Sequence, residues 1–303
     1  MANKHLIVIV GPTAIGKTSL SIALAQHFKT EIISADSRQF FKEMCIGTAA
    51  PSAEEMAAAP HHFIHSKSVE DEYSVGDFER EALLKLKDLF QKKDKLVMVG
   101  GSGLYVDAVV KGLDNFPQVD PAIRTALNSR FQEEGIAPLQ DELKELDPHY
   151  HAAVDLQNHH RIIRALEICI GTGEPYSSFR KEANPERFFK TVMIGLSADR
   201  EIIYDRINKR VDLMMAEGLL EEVKDLSGKR HLNALNTVGY KELFTYLDGE
   251  CSLEKAVEEI KKNSRRFAKR QLTWFRKNEN INWFDYETPS EEIIQFIEKK
   301  TFG

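Results

Sequence analysis

Short, unbroken apolar runs recur along the chain at 6–10, 31–34, 96–99, 192–196 and 281–284. Stretches with a helical period separate them at 19–28, 75–92, 104–110, 200–217 and 252–277. Apolar residues in succession, rather than alternating with polar ones, are what a strand covered on both faces requires. The alternation of strand and helix predicts an α/β fold: a parallel sheet flanked by helices, with ligands held at the carboxyl ends of the strands. The rhythm breaks once. Between Asp114 and Arg187 there is no strand pattern, only helical stretches punctuated by proline and glycine. This predicts a core made of 1–115 and 187–303, interrupted by an inserted all-helical subdomain over 116–186. Pro289-Ser290-Glu291-Glu292 reads as the start of a last, capped helix.

The first apolar run leads directly into Gly11-Pro12-Thr13-Ala14-Ile15-Gly16-Lys17-Thr18. This fits G-x-x-x-x-G-K-[ST] at every fixed position, between a strand and a helix, so the sheet is expected to be P-loop NTPase-like. Glycines let backbone N–H groups turn inward around a phosphate, and the helix N-terminus adds partial positive charge. Lys17 brings a full charge to the terminal phosphate, and Thr18 a hydroxyl for Mg²⁺. A di- or triphosphate is expected here, but the loop does not say what happens to it.

Composition narrows the setting. With 303 residues, 42% hydrophobic and 29% charged, the chain reads as a globular protein of one large or two modest domains. No apolar run approaches the ~18 residues of a membrane span. The first strand begins at once, so a cytoplasmic protein without a signal peptide is expected. Cys45, Cys169 and Cys251 are far apart and match neither a disulfide nor a metal spacing. A net charge of −6 argues against a general nucleic-acid coat. Yet 255–277 gathers Lys255, Lys261, Lys262, Arg265, Arg266, Lys269, Arg270, Arg276 and Lys277 against only Glu258 and Glu259, with Phe267, Trp274 and Phe275 interleaved. Such a helix is either a solvated face or a rail for nucleic-acid phosphates.

Other residues carry candidate chemistry. Asp36, in Ser34-Ala35-Asp36-Ser37-Arg38-Gln39, follows the second strand and falls beside the phosphate loop in a parallel sheet. It reads as a metal ligand, a general base or a helix cap. Gln39 has the donor–acceptor pair that matches an adenine edge. The third strand runs into Gly100-Gly101-Ser102-Gly103, which reads as an added anion cradle including the Ser102 hydroxyl, or as close helix–strand packing. Arg161 and Arg164 share a helix face with His160 alongside, while Ile162, Ile163 and Leu166 face elsewhere. His149, His151, His159 and His160 lack zinc-ligand spacing. Arg206 and Arg210 resemble the lid arginines that clamp phosphates in small-molecule kinases.

Taken in order, these segments resemble the bacterial tRNA dimethylallyltransferases over nearly the whole chain. The likeness runs through 11–18, Ser34-Ala35-Asp36-Ser37-Arg38-Gln39, Ile46-Gly47-Thr48-Ala49, His61-His62-Phe63-Ile64 and Tyr73-Ser74-Val75. It continues through 100–105, Arg161 with Arg164-Ala165-Leu166-Glu167, Gly239-Tyr240-Lys241-Glu242, Lys269-Arg270-Gln271 and Thr273-Trp274-Phe275. Ala50, His65, Ser102 and His160 depart from the family's usual Lys, Asp, Thr and Gln. The resemblance implies transfer of a dimethylallyl group from dimethylallyl diphosphate to N6 of the adenosine 3′ of the anticodon. It implies diphosphate binding by 11–18 with Arg206 and Arg210, Mg²⁺ at Thr18, and catalysis by Asp36, Lys17, Thr18 and Ser102. Contacts to tRNA are implied at Asp36, Ser37, Arg38, Gln39, Ser102 and Arg124, and at His160, Arg161, Ile162, Ile163 and Arg164. Lys269 and Arg270 would meet the RNA backbone, and a monomer is expected. A P-loop small-molecule kinase, a non-catalytic RNA-binding protein and an adenylate isopentenyltransferase acting on free nucleotides are the competing readings.

Overall fold

The computed structural model describes residues 4–114, 116–180 and 186–301; the expected boundary at 115 and the segment 181–185 lie outside these. Six strands, β1 (His5–Val10), β2 (Ile32–Ser34), β3 (His61–His62), β4 (Lys95–Val99), β5 (Lys190–Ser197) and β6 (Ile281–Asp285), form one sheet in the order β3-β2-β4-β1-β5-β6. All pairs are parallel. β1 is central, with Val8 opposite Met98 on one side and Met193 on the other.

The chain divides into two compact units, 1–111 with 186–303 and 112–185. In the first half of the larger unit lie α1 (Lys17–His27), α2 (Ala53–Ala58), α3 (Val75–Leu89) and α4 (Gly103–Lys111). The smaller unit is built from α5 (Pro121–Glu134), α6 (Ala137–Leu146), α7 (Pro148–Ala153), α8 (His159–Thr172) and α9 (Tyr176–Phe179). The larger unit resumes with α10 (Arg200–Ala216), α11 (Leu219–Asp225), α12 (Tyr240–Leu247), α13 (Leu253–Phe275) and α14 (Ser290–Thr301).

Alternation along β1 builds two layers. Leu6, Val8 and Val10 pack with Phe78, Ala82 and Leu86 of α3 and with Val106 and Val109 of α4. Ile7 and Ile9 turn the other way, onto Leu20 and Leu24 of α1, Ile203 and Ile207 of α10 and Ile297 of α14. α13 reaches both layers, through Ala268 in one and Phe275 in the other. A separate core of Leu127, Leu139, Leu143, Ile162, Ile163 and Leu166 holds the helical unit. Within it the buried Asp147 carboxylate accepts the N–H groups of Tyr150 and Ser177 at 2.9 and 2.6 Å.

The strand expectations hold at all five runs. β3 was not expected because two histidines are all it has. It exists only as an edge, where Ile32 and Ile33 pair with His61 and His62. The helices α2, α11 and α12 are six to eight residues long, too short to show a period. α3 stops at Leu89, earlier than the expected 92.

One clasp shapes the loop after β2. Glu222 of α11 accepts the backbone N–H groups of Cys45, Ile46 and Gly47 at 2.8–2.9 Å, and the Tyr240 hydroxyl at 2.6 Å. Tyr240 is fully buried, and a Cβ on Gly47 would stand 2.6 Å from its ring. Gly47→Ala should therefore destabilise the protein by about 1–3 kcal/mol. Thermal unfolding checks this, and an unchanged midpoint would show that the ring yields freely.

Candidate active site

The phosphate loop is shaped by its glycines and held by α10. Gly16 closes it at φ 106°, and Gly11 follows β1 where a Cβ would stand 2.5 Å from the Leu196 carbonyl oxygen. Ala14 lies at φ 64°, a left-handed conformation that costs an alanine about 1–2 kcal/mol. Arg206 braces it, its Nε–H donating to the Ala14 carbonyl at 2.7 Å. Arg210 donates to the Thr13 hydroxyl at 3.0 Å. Lys17 at the start of α1 donates to the Pro12 carbonyl at 2.7 Å. Burial lowers the Lys17 ammonium to about 8, with Asp36 opposing the shift and Arg210 adding to it. Burial lowers Arg210 as well, against the pull of Asp36 and Glu55. Two desolvated cations that Asp36 and Glu55 only partly offset make a site that favours an anion.

The ends of β1, β2 and β4 meet here. Gly100 N–H donates to Ile9 at 3.1 Å, and Ala35 N–H to Val99 at 2.7 Å. The Ser102 hydroxyl accepts the N–H of Ser37 at 3.1 Å and lies 3.1 Å from the Ser37 hydroxyl. Across this junction α13 lays Gln271, whose Oε1 accepts Thr13 N–H at 2.8 Å while Nε2 donates to the Gly101 carbonyl at 2.9 Å. Trp274 packs where Gly103 has no side chain and donates through Nε1 to Asp107 at 2.9 Å. The result is a cavity of about 640 Å³. Thr13, Asp36, Ser102, Arg210 and Gln271 line its polar part, Arg270 and Trp274 also border it, and Ile207, Val211 and Met214 of α10 form an apolar wall. It offers an anion site, a carboxylate and an apolar surface in one space.

The IPP transferase family model matches residues 39–278. A tRNA dimethylallyltransferase of Christiangramia forsetii is 62% identical over 298 residues, spanning 98% of this chain and 99% of its own length. The chain belongs to the tRNA dimethylallyltransferase family. The tRNA dimethylallyltransferase of Flavobacterium johnsoniae is 58% identical, covering 97% of each chain. The full-length tRNA isopentenylpyrophosphate transferase of Bacillus halodurans superposes with a TM-score of 0.74 at 41% identity, over 99% of this chain and 97% of that one. A eukaryotic dimethylallyltransferase, described as acting on tRNA, gives 0.81 at 27% identity, over 98% of this chain and 80% of that one. Membership makes the protein a transferase and sets aside the kinase and free-nucleotide readings.

The structure brings several of the residues singled out in the sequence together. Lys17, Thr18, Asp36, Ser37, Ser102, Arg206 and Arg210 cluster at the strand ends, and Arg270 borders the cavity. Others need correction. Gln39 does not offer its amide to a base: Nε2 donates to the Thr48 and Ala49 carbonyls at 3.3 and 3.0 Å, clasping its own loop. Arg38 borders the cavity, but Nη1 donates to the carbonyls of Asn233 and Ala234 at 3.1 and 2.9 Å. Ile162 and Ile163 are core residues of the helical unit, 0% and 1% exposed, so their side chains cannot meet RNA. In that same unit His160 and Arg161 are exposed, and Arg124 and Arg164 converge on Glu167 at 3.5 and 2.8 Å. The second glycine turn is close packing more than cradle, since a Cβ on Gly100 would meet the Ala35 carbonyl oxygen at 2.6 Å. The basic helix is divided: Lys255, Lys261 and Lys262 pair with carboxylates, whereas among the described residues Lys269, Arg270, Arg276 and Lys277 form no ion pair and are exposed. Sequence reasoning quoted Gln271 only within the Lys269-Arg270-Gln271 motif and gave it no role of its own, and it missed Glu222, which had no motif at all.

The lowered Lys17 sets a pH limit on anion binding. Its charge is half lost at about 8 and is lost further above it, so anion affinity falls as pH rises through that value. Titration calorimetry with inorganic diphosphate should show affinity dropping by up to about tenfold per pH unit above that point. Lys17→Arg, whose charge is permanent, should flatten the profile. A flat profile in the parent protein would mean that Lys17 stays charged throughout.

Proposed function

We propose that this protein transfers the dimethylallyl group of dimethylallyl diphosphate to N6 of the adenosine 3′ of the anticodon (position 37) in tRNA, releasing diphosphate. The carrying observation is the single cavity that joins the phosphate loop, the Asp36 carboxylate and the unpaired end of the basic helix. The names of the full-length relatives support the same reading. The site serves the reaction as a monomer in the cytoplasm. Among the described residues no helix is long and apolar enough to cross a membrane.

The loop N–H groups and the Lys17 ammonium hold the diphosphate, and the apolar wall of α10 receives the hydrocarbon tail. The target base leaves its stack to enter the cavity. As the bond from N6 to the allylic carbon forms, the carbon–oxygen bond breaks and its electron pair leaves with the diphosphate. Charge gathering on that oxygen is met by loop dipoles and Lys17. Adenine N6 is a poor nucleophile, because its lone pair is delocalised into the ring. Asp36 accepts its hydrogen bond, then its proton. The Thr18 hydroxyl at the head of α1 is a hard oxygen donor that fits Mg²⁺. Among the described residues no cluster of three His, Cys, Asp or Glu side chains could hold an ion unaided, so the cation would share its ligation with the diphosphate. Bound there, Mg²⁺ would supply added neutralisation of the leaving group.

Incubation with unmodified tRNA and dimethylallyl diphosphate, followed by nucleoside mass analysis, should yield N6-dimethylallyladenosine. No modified adenosine would sink the reading. In the same assay Asp36→Ala should lower kcat by about two to four orders of magnitude while tRNA affinity falls far less. Turnover near the parent value would remove Asp36 as the proton acceptor.

Lys269→Ala with Arg270→Ala should weaken tRNA binding and flatten its log–log salt slope by about one to two units, with donor affinity unchanged. An unaltered slope would move the RNA rail elsewhere.

A further inference from the structure

The geometry points to Gln271 as a positioning residue for the transfer, acting on the phosphate loop from the RNA-facing helix. This rests on the function proposed above. The Gln271 side chain is only 5% exposed, and both ends of its amide are used. Neither partner belongs to its own helix: Thr13 lies 258 residues away in sequence and Gly101 lies 170. A planar amide presents its oxygen and nitrogen on adjacent corners, so it can take an N–H from one loop and give to a carbonyl of another only when the two lie side by side. Gln271 thereby fixes the separation between the phosphate loop and the turn that opens α4. The turn is cut to fit it, since a Cβ on Gly101 would stand 2.3 Å from Nε2.

A bland explanation is that Gln271 is a buried polar group that happens to be satisfied. Three observations favour a role in the reaction. Its acceptor holds a phosphate-loop N–H, it borders the cavity, and the loop it holds contains the left-handed Ala14. The loop carries three external braces: Arg206 on the Ala14 carbonyl, Arg210 on the Thr13 hydroxyl and Gln271 on the Thr13 N–H. Two are cations and are drawn toward any bound anion. Gln271 is neutral, so it can hold the loop in one position before and after the diphosphate arrives. An error near 1 Å in the aim of the loop is enough to cost roughly 100-fold in rate.

Gln271→Met keeps the length and volume while removing both hydrogen bonds. The variant should bind inorganic diphosphate about 10-fold more weakly, raise the KM for dimethylallyl diphosphate and lower kcat by about 10- to 100-fold. Its tRNA affinity should stay within about twofold of the parent value, because Lys269 and Arg270 are untouched. Gln271→Glu separates positioning from packing. Ionised, it can still accept from Thr13 but has no proton for the Gly101 carbonyl; protonated, it regains a donor. Its activity relative to Gln271→Met should therefore recover as pH falls from 8 toward 6. Parent-like diphosphate affinity, kcat and donor KM in Gln271→Met would overturn the assignment. So would a loss confined to tRNA affinity or melting temperature, or the same relative pH profile in both variants. Diphosphate binding needs no turnover, so it judges Gln271 even if the parent protein fails to modify tRNA, an outcome that would count against the function instead.

Discussion

Everything at the strand ends depends on backbone approaching without side chains between. A Cβ on Gly11 would strike the Leu196 carbonyl, one on Gly100 the Ala35 carbonyl, one on Gly101 the Gln271 amide and one on Gly103 the Trp274 ring. These contacts draw the phosphate loop, the turn before α4 and the C-terminal end of α13 into one packed junction. Each element comes from a distant part of the sequence, so none could be brought there by local preference. Close-packed protein does not absorb an added methyl group by gradual deformation; something shifts. The cavity inherits its definition from this crowding.

The same crowding explains the electrostatics. Lys17 and Arg210 are desolvated by the elements that close around them, and burial is the largest influence on both. Asp36 offsets part of the cost for both cations and Glu55 part of it for Arg210, but burial still prevails. The uncompensated charge is what the fold gives up in stability to obtain a site that gains when an anion enters. Arg206 lies over the Tyr286 ring at 5.1 Å while its Nε–H reaches Ala14. It braces the loop from outside the cavity, whose lining includes Arg210 but not Arg206.

Strand positions and the phosphate loop were legible in the sequence because both are local: an apolar run of a given length, and a spacing of glycines beside Lys17. The helical insertion was legible as the one stretch without strand patterns. What escaped was anything set by a partner outside the local pattern. Gln39 has the chemistry to read a base, yet the fold brings the Thr48 and Ala49 carbonyls to it first. Ile162 and Ile163 lie between two arginines of a family motif, but the helix turns them into the core. Glu222 and Gln271 look ordinary in the sequence. Their importance is that unpaired backbone N–H groups from other segments arrive within reach, and a buried donor without an acceptor is costly.

The divided basic helix follows a related logic. Along the first half of α13, Lys255 and Lys262 meet Glu259, and Lys261 meets Asp212 of α10. Charges neutralised this way contribute little beyond the pair itself. Toward the C-terminal end the carboxylates stop, and the exposed Lys269, Arg270, Arg276 and Lys277 follow within a few turns. That end of the helix also carries Gln271 and Trp274, which border the cavity together with Arg270. A polyanion therefore meets uncompensated cations beside the cavity, whereas the paired first half of the helix offers it little.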